Sequence, residues 1–373
     1  MKNKMTSVIC LILFSKLAFS SSLPIVGYGS SDAVLNAKNQ ELFLMGFQAG
    51  FQSNLRKSDI KDLLIIDQVS DGSQLGSMKV AERLLSKGVS LIAGFPTSHE
   101  ALLAGSVARK FGVLSIFSGA GHSDLGKMGP TVFTTGESME LAVETMLKFI
   151  RKKFPNKTGM LISNPYAVFS KNQEDVTIQK IRQKINQDII LYPAHLSKSL
   201  TLSQQDILKI KKKEISYLVI TPYADESARL LEQLQKNEID LPIITNSSWT
   251  TGDLDFGRRF MVSLKSPTYC QALWMKGSKD SIPFERLIQK KYGRPATSEI
   301  ANGYDLGVIV AKVLNGITGP ITKESVLNSF KLQKCFSGLS TGRMCFNPNG
   351  GHAEKKINFV RFTKEGFVPV EFK

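Results

Sequence analysis

Short apolar runs with strand character alternate with amphipathic helical stretches along most of the 373-residue chain. Runs of this kind lie at 23–28, 63–69, 90–95, 112–117, 158–163, 189–193, 217–221 and 242–246. Strands that alternate with helices predict right-handed βαβ units around parallel sheets. The pattern restarts near residue 138, which indicates two similar α/β halves in tandem, followed by two helices and a β-rich tail.

Several of these apolar runs end in small polar residues, at the point where the chain turns toward a helix. The runs that end at Phe95, Phe117 and Asn246 are followed by Thr97 and Ser98, by Ser118, and by Ser247 and Ser248. Open parallel sheets bind ligands at the carboxyl ends of their strands. The pattern therefore favours a site for a small solute.

The first 20 residues are typical of a secretory signal peptide. Lys2 and Lys4 precede a mostly apolar stretch at 7–17, and Ala18 and Ser20 are small residues suited to a cleavage site. The apolar stretch is shorter than the roughly 20 residues that span a membrane. Cys10 lies inside it and not at its end, which argues against a lipid anchor. We expect cleavage near Ser20 and a mature protein that is soluble in a bacterial periplasm.

Composition and charge add little that is specific. The chain is 42% hydrophobic and 21% charged, as ordinary globular proteins are, and its length suits two lobes or domains. The net charge is +16, and the densest basic runs, 151–153 and 211–213, lie at predicted helix ends, where cations complement the helix dipole. No basic patch is interleaved with aromatic residues, so we expect no nucleic-acid partner.

The cysteines and histidines indicate neither a metal site nor catalysis. Removal of the signal peptide leaves Cys270, Cys335 and Cys345. The last two flank a segment suited to a turn, and two interpretations stay open: a disulfide across a hairpin, which we favour, or two buried free thiols. No Cys/His spacing resembles a metal site, and the chain has no Gly-x-Ser-x-Gly or phosphate-binding motif. We expect no cofactor and no enzyme activity.

Three segments carry a resemblance to a known family. They are GVSLIAGFPTSHEALLAGSVARKFGVLSIFSGAGHSDL (88–125), ANGYDLGVIVAKVL (301–314) and the tail STGRMCFNPNGG…KKINFVRFTKEGFVPV. With the order of elements, they resemble the type I periplasmic solute-binding proteins of ABC importers, in the leucine/isoleucine/valine-binding branch. The resemblance implies an α/β fold of two lobes, each a parallel-sheet sandwich, joined by a hinge of three crossings.

The same resemblance implies what the protein does. It would act as a monomer that captures a small polar solute, an amino acid or a related amide or carboxylate, and delivers it to the membrane permease of an ABC importer. The alternative is a module of the same fold that senses the ligand and signals to a membrane partner without transport. The implied lobes are 21–135 with 265–336, and 136–264 with 337–373, with crossings near 135–136, 263–266 and 336–338.

The family binds its ligand between the lobes, which implies four loops and the following ligand-binding residues. They are Thr97, Ser98, Ser118, Gly119, Gly121, Tyr166, Tyr223, Ser247 and Trp249. Ser98 begins a helix, where hydroxyl and amide groups suit a carboxylate, although helix capping alone also explains Thr97 and Ser98. The glycines allow a close approach to a ligand or serve a tight turn. The tyrosines would close over the ligand, and Trp249 would form a cleft wall.

The chain departs from the family at two positions. Amino-acid binders carry an acid near the position of Ser247, which pairs with the ligand ammonium, and a hydroxyl residue near Gly121. Neither is present in this sequence. A buried ammonium without an anion is costly. Either Glu100, Asp225 or another acid substitutes, or the ligand is not a free α-amino acid.

Overall fold

The computed structural model describes residues 25–31, 37–56, 64–69, 75–183, 188–250, 265–364 and 366–371. The predicted signal peptide lies outside these residues. So does the first half of the predicted crossing at 263–266.

The strands of the described part are numbered in chain order. They are β1 Val26–Ser31, β2 Leu64–Val69, β3 Leu91–Gly94, β4 Leu114–Phe117, β5 Val132–Thr134, β6 Thr158–Ser163, β7 Ile190–His195, β8 Tyr217–Ile220, β9 Ile243–Thr245, β10 Thr268–Ala272, β11 Cys335–Phe336, β12 Met344–Phe346, β13 Gly351–Glu354, β14 Asn358–Thr363 and β15 Gly366–Val370.

The α-helices of the same part are numbered likewise. They are α1 Ala37–Asn54, α2 Gly76–Ser86, α3 Ser98–Lys110, α4 Met139–Lys153, α5 Val168–Ile181, α6 Gln204–Lys211, α7 Ala228–Lys236, α8 Ser281–Tyr292, α9 Ser298–Asn315 and α10 Lys323–Gln333. Short 3₁₀ turns lie at Ser123–Lys127 and Ser247–Thr250. Among the described helices, none combines the length and the apolar character that a membrane crossing demands.

Two sheets organise the chain into two lobes. The strand order of the first is β11-β12-β13-β5-β4-β3-β1-β2, and that of the second is β15-β14-β10-β9-β8-β6-β7. The five N-terminal strands pair in parallel, as do β6 to β10, while the tail strands add antiparallel pairs at one edge of each sheet. The architecture is therefore α/β with two mixed sheets, and the parallel strands form the centre of each lobe.

Each sheet is covered on both faces, so its central strands are buried throughout. In the first lobe, α2 and α3 cover one face, and α1, α9 and α10 cover the other. Helix α8 packs on α1 and α9. In the second lobe, α4 and α5 cover one face, and α6 and α7 cover the other.

Glycines bring α1 and α9 into direct backbone contact. A Cβ at Gly46 would lie 2.0 Å from the carbonyl oxygen of Ile300, and one at Gly303 would lie 2.0 Å from the carbonyl oxygen of Phe43. No larger side chain fits at such distances. This close packing holds the start of α9 beside the start of α1.

The strand pairing shows that two of the crossings between the lobes lie at other positions in the sequence than predicted. The boundary at 265 assigned residues 268–272 to the first lobe, but β10 pairs in parallel with β9 in the second sheet. The boundary at 337 assigned β12 and β13 to the second lobe, but β13 pairs with β5, with His352 opposite Thr134. The chain therefore changes sheets between β10 and α8 and between β13 and β14. After β5 it continues into α4 of the second lobe.

The three cysteines of the described part have two different states. Cys335 and Cys345 stand opposite each other in the antiparallel pair β11–β12 and form a disulfide. This is the hairpin pairing that the sequence favoured over two free thiols. Cys270 on β10 is a buried free thiol whose pKa is raised by burial.

Candidate functional site

A small cavity of about 80 Å³ lies between the two lobes at the carboxyl ends of the central strands. Its walls in the first lobe are Asn39, Phe43, Pro96, Thr97, Ser98, Gly119, Glu299 and Asn302. Its walls in the second lobe are Phe169, Tyr223, Ala224, Asp225, Glu226, Ser247, Ser248 and Leu273. The described lining thus contains three carboxylates and no lysine or arginine.

The start of α3 presents Ser98 to the cavity. Thr97 caps this helix: its hydroxyl accepts from the amide of Glu100 at 3.3 Å, and its own amide donates to the Glu100 carboxylate at 3.1 Å. Glu100 is fully buried in this capping box and is not a cavity wall, so it does not supply the acid missing near Ser247. The Ser98 hydroxyl is buried and has no hydrogen-bond partner among the described residues.

Tyr223 closes over the same helix start from the second lobe. Its hydroxyl lies near the amide and the side chain of Ser98, although the contact with Ser98 Oγ lacks hydrogen-bond geometry. Burial raises the pKa of Tyr223, and the carboxylates of Glu226 and Glu100 add to the rise. The Tyr223 ring stacks on Phe169, with centroids 5.0 Å apart. The neutral phenol is thus a direct contact between the lobes.

An acid does lie beside Ser247, and it comes from the segment that joins β5 to α4. The hydroxyl of Ser247 donates to Oε1 of Glu137 at 3.2 Å. Burial raises the pKa of Glu137, and nearby Lys355 opposes the rise. Asp225, one of the substitutes expected from the sequence, also lines the cavity, as does Glu226, whose pKa is raised mainly by burial.

The first two turns of α9 add two buried polar residues, Glu299 and Asn302. Asn302 Oδ1 lacks a donor in the described part of the chain. The sequence motif ANGYDLG contains Asn302, and a buried amide near the start of an apolar helix is a signal that could have identified it. Asn39 and Phe43 on α1 were also missed, because nothing in their local pattern indicates that α1 meets the cavity.

Comparison with known proteins identifies the family. The model of the periplasmic binding proteins matches residues 67–366. The chain belongs to this family. No curated protein has a significant sequence match to the chain.

Solved structures share the fold of this periplasmic binding protein at low sequence identity. A leucine-binding protein, LivK, from Thermotoga maritima superimposes with a TM-score of 0.79 at 13% identity, over 93% of this chain and 98% of that one. An ABC transporter substrate-binding protein from Desulfitobacterium hafniense, solved with Leu, gives 0.74 at 15%, over 93% and 99%. A solute-binding protein from Rhodopseudomonas palustris BisB5, solved with 3,4-dihydroxybenzoic acid, gives 0.74 at 15%, over 94% and 96%.

These similarities establish that the periplasmic binding protein has the two-lobe type I fold. At such low identity they do not identify its ligand. The two ligand complexes contain chemically different molecules, an amino acid and an aromatic acid. No group of three or more His, Cys, Asp or Glu side chains suited to a metal ion occurs in the described ranges.

The fold brings five of the nine residues predicted for the ligand site to the cavity. These five are Thr97, Ser98, Gly119, Tyr223 and Ser247. Ser118 is fully buried and is not one of the residues that line the cavity. Gly121 lies beside Glu137 in an adjacent compartment.

Two aromatic residues differ from their predicted roles. Tyr166 is 65% exposed and is not a cavity wall, since the turn after β6 directs it to solvent. Trp249 is 1% exposed in the core of the second lobe, where its indole N–H donates to the carbonyl of Pro222 at 3.0 Å. The ring therefore lies inside the second lobe and not at the cleft wall that the sequence predicted, and this hydrogen bond anchors it there.

Proposed function

We propose that the protein captures a small amino-acid-like solute, an amino acid or a related amide or carboxylate, between its lobes in the periplasm. It then delivers the solute to the membrane permease of an ABC importer. The role requires binding and lobe closure, with no covalent step. Family membership and the walls of the cavity support it, because the two ends of a zwitterion find complementary groups there.

The start of α3 is the end of the cavity suited to a carboxylate. A helix N-terminus carries a partial positive charge and presents amide N–H groups. At this one, the capping box engages Thr97 and Glu100, and the buried hydroxyl of Ser98 is left without a partner in the described residues. A carboxylate oxygen of the ligand would accept a hydrogen bond from the Ser98 hydroxyl.

The acidic walls of the cavity are suited to the ammonium end of the solute. Glu299 and Asn302 of the first lobe and Asp225 and Glu226 of the second line the same cavity. An ammonium group is stabilised by nearby carboxylates and by amide oxygens, and it donates where Asn302 Oδ1 needs a donor. The absence of lysine and arginine from the described walls argues against a purely anionic cargo.

The observation that carries the proposal is that Ser98 of the first lobe and Tyr223 of the second lobe line the same cavity and lie near each other across it. A ligand held at Ser98 contacts groups of both lobes only when the lobes are closed. Such a ligand stabilises the closed state by its differential contacts, which is the property that a receptor for an importer needs.

The test uses the chain from residue 21 onward, screened by thermal shift against amino acids, small amides and carboxylates, with calorimetry on each hit. A ligand that binds the folded state raises the melting temperature. We expect Ser98→Ala to weaken a carboxylate ligand roughly tenfold or more, since a hydrogen bond to a charged group contributes about 1.5–3 kcal/mol.

The matched control is Ser106→Ala, on the exposed side of the same helix, where the hydroxyl donates to the carbonyl of Leu103. We expect it to keep the wild-type affinity. No shift with any compound, or equal effects of the two alanine variants, would contradict the proposal. Uptake of the labelled ligand by cells with and without the protein separates delivery from sensing.

A further inference from the structure

A second, nearly filled polar compartment adjoins the cavity. It is bounded by Gly121, Glu137, Phe169, Gln173, Asn246 and Gln271. Phe169 lines both spaces, so its ring is the partition between them. Ser247 of the cavity is hydrogen-bonded to Glu137 of the compartment. The two spaces are therefore neighbours within one cleft.

The compartment contains an excess of hydrogen-bond acceptors. Asn246 donates from Nδ2 to Oε1 of Gln173 at 3.1 Å, so both of those atoms are satisfied. Gln271 donates from Nε2 to the carbonyl of Ala142 at 2.7 Å, which fixes the orientation of its amide. Two acceptor oxygens of the compartment are left, Oε1 of Gln271 and Oε2 of Glu137. Neither has a hydrogen-bond donor within the described ranges.

Both of these oxygens are deeply buried. Gln271 is 0% exposed and Glu137 is 6% exposed. A buried acceptor without a donor is destabilising. Two such acceptors in one compartment are complementary to a group that carries several N–H donors and no acceptor, which describes an ammonium group.

The charges around the compartment also favour an ammonium group. Lys355 lies near the carboxylates of both Glu137 and Asp305, and it donates from Nζ to the carbonyl of Thr135 at 2.8 Å. This buried cluster thus holds two acids and one base. A ligand cation at Glu137 would supply the second positive charge.

We propose that this nearly filled compartment widens to receive the ammonium end of the ligand side chain, so that the solute is a cationic amino acid of the lysine or ornithine type. The inference rests on the proposed function, because the α-carboxylate and α-ammonium groups are held in the main cavity. The side chain passes Phe169, and its terminal nitrogen donates to Glu137 Oε2 and Gln271 Oε1.

Isothermal titration with matched pairs of ligands tests this. L-Lysine and L-norleucine share an aliphatic chain and differ in the terminal ammonium, and L-glutamine supplies a neutral donor. We expect the wild type to bind L-lysine at least tenfold more tightly than L-norleucine and more tightly than L-glutamine. Gln271→Leu and Glu137→Gln should each reduce the lysine-to-norleucine ratio below threefold.

Glu140→Gln is the control, because it makes the same chemical change at an exposed residue three positions further on. It should keep the wild-type ratio. Gln271→Leu leaves the charges of the cluster intact, so it tests the idea even where Glu137→Gln lowers the folding yield.

Equal wild-type affinities for L-lysine and L-norleucine, or tighter binding of L-glutamine than of L-lysine, would overturn the inference and leave the proposed function standing. An undiminished ratio in Gln271→Leu would also overturn it. A failure to bind any compound of the wider amino-acid, amide and carboxylate panel would contradict both proposals.

Discussion

Lys355 donates a hydrogen bond from Nζ to the carbonyl oxygen of Thr135 at 2.8 Å, across 220 residues of sequence. Thr135 begins the passage from β5 to α4, and Lys355 begins the passage from β13 to β14. The contact therefore joins two of the segments that connect the lobes. Burial lowers the pKa of this lysine, and the nearby carboxylates of Glu137 and Asp305 oppose the change.

Replacement of this lysine should destabilise the protein strongly. In Lys355→Met the apolar stem is kept, but Glu137 and Asp305 stay buried without a compensating cation. Breaking a buried charge cluster in this way costs about 3–5 kcal/mol. We expect that loss in the free energy of unfolding, measured by urea denaturation at neutral pH.

The neighbouring residue supplies the control. Lys356 is exposed, so Lys356→Met should change the free energy of unfolding by no more than about 0.5 kcal/mol. If the two methionine variants differ by less than about 1 kcal/mol, the cluster does not contribute as argued.

A histidine beside the same passage should make stability depend on pH. His352 on β13 has its pKa lowered from the ordinary value of 6.5, because burial outweighs the opposing effects of Glu140 and the backbone of His122 and Gly136. Below pH 6.5 the unfolded chain then binds more protons at this site than the folded protein does. Its contribution to stability is present above that pH and is lost as pH falls, by at most about 1.4 kcal/mol per pH unit.

The variant His352→Gln isolates this effect. Buried carboxyl groups with raised pKa values, such as those of Glu137 and Asp305, favour the folded state at low pH, so the wild-type curve alone mixes both signs. We expect the stability of His352→Gln relative to wild type to rise as pH falls from 7.5 to 5, measured by urea denaturation at each pH. A difference that does not change with pH would show that this histidine titrates normally.

Most of the core elements could be predicted from the sequence, because parallel strands buried on both faces are continuous apolar runs. The run at 158–163 has the observed bounds of β6, Thr158–Ser163. β10 was not predicted, because Thr268 and Gln271 interrupt its apolar character although both are buried. Helix α10 was missed although Thr322 and Ser325 form the capping box that signals its start.

The pairing of strands that are far apart in the sequence could not be predicted from hydrophobic periodicity. Nothing near residue 352 indicates that β13 joins β5, more than 200 residues earlier, so the expected lobe boundaries were displaced. The same limit applies to the site. Ser98 could be predicted because a strand end and a helix start lie next to each other in sequence, whereas Glu137 meets Ser247 only through the fold.

The revised position of Trp249 can be tested against its predicted one. Trp249→Phe removes the hydrogen bond to the buried carbonyl of Pro222 and leaves a void in the core of the second lobe. We expect a loss of about 1–3 kcal/mol in the free energy of unfolding, because a buried acceptor loses its donor. Ligand affinity, measured by calorimetry, should stay within about threefold of wild type, a difference of less than 1 kcal/mol.

Tyr166→Ala is the comparison for this variant, since Tyr166 was predicted for the same site and is 65% exposed. It should alter the free energy of unfolding by at most about 0.5 kcal/mol, and it should leave affinity unchanged. We therefore expect the two variants to behave differently. Trp249→Phe lowers stability only, and Tyr166→Ala changes neither stability nor affinity. A large loss of affinity in Trp249→Phe at unchanged stability would restore the indole to the cleft wall, because a core residue cannot produce that combination.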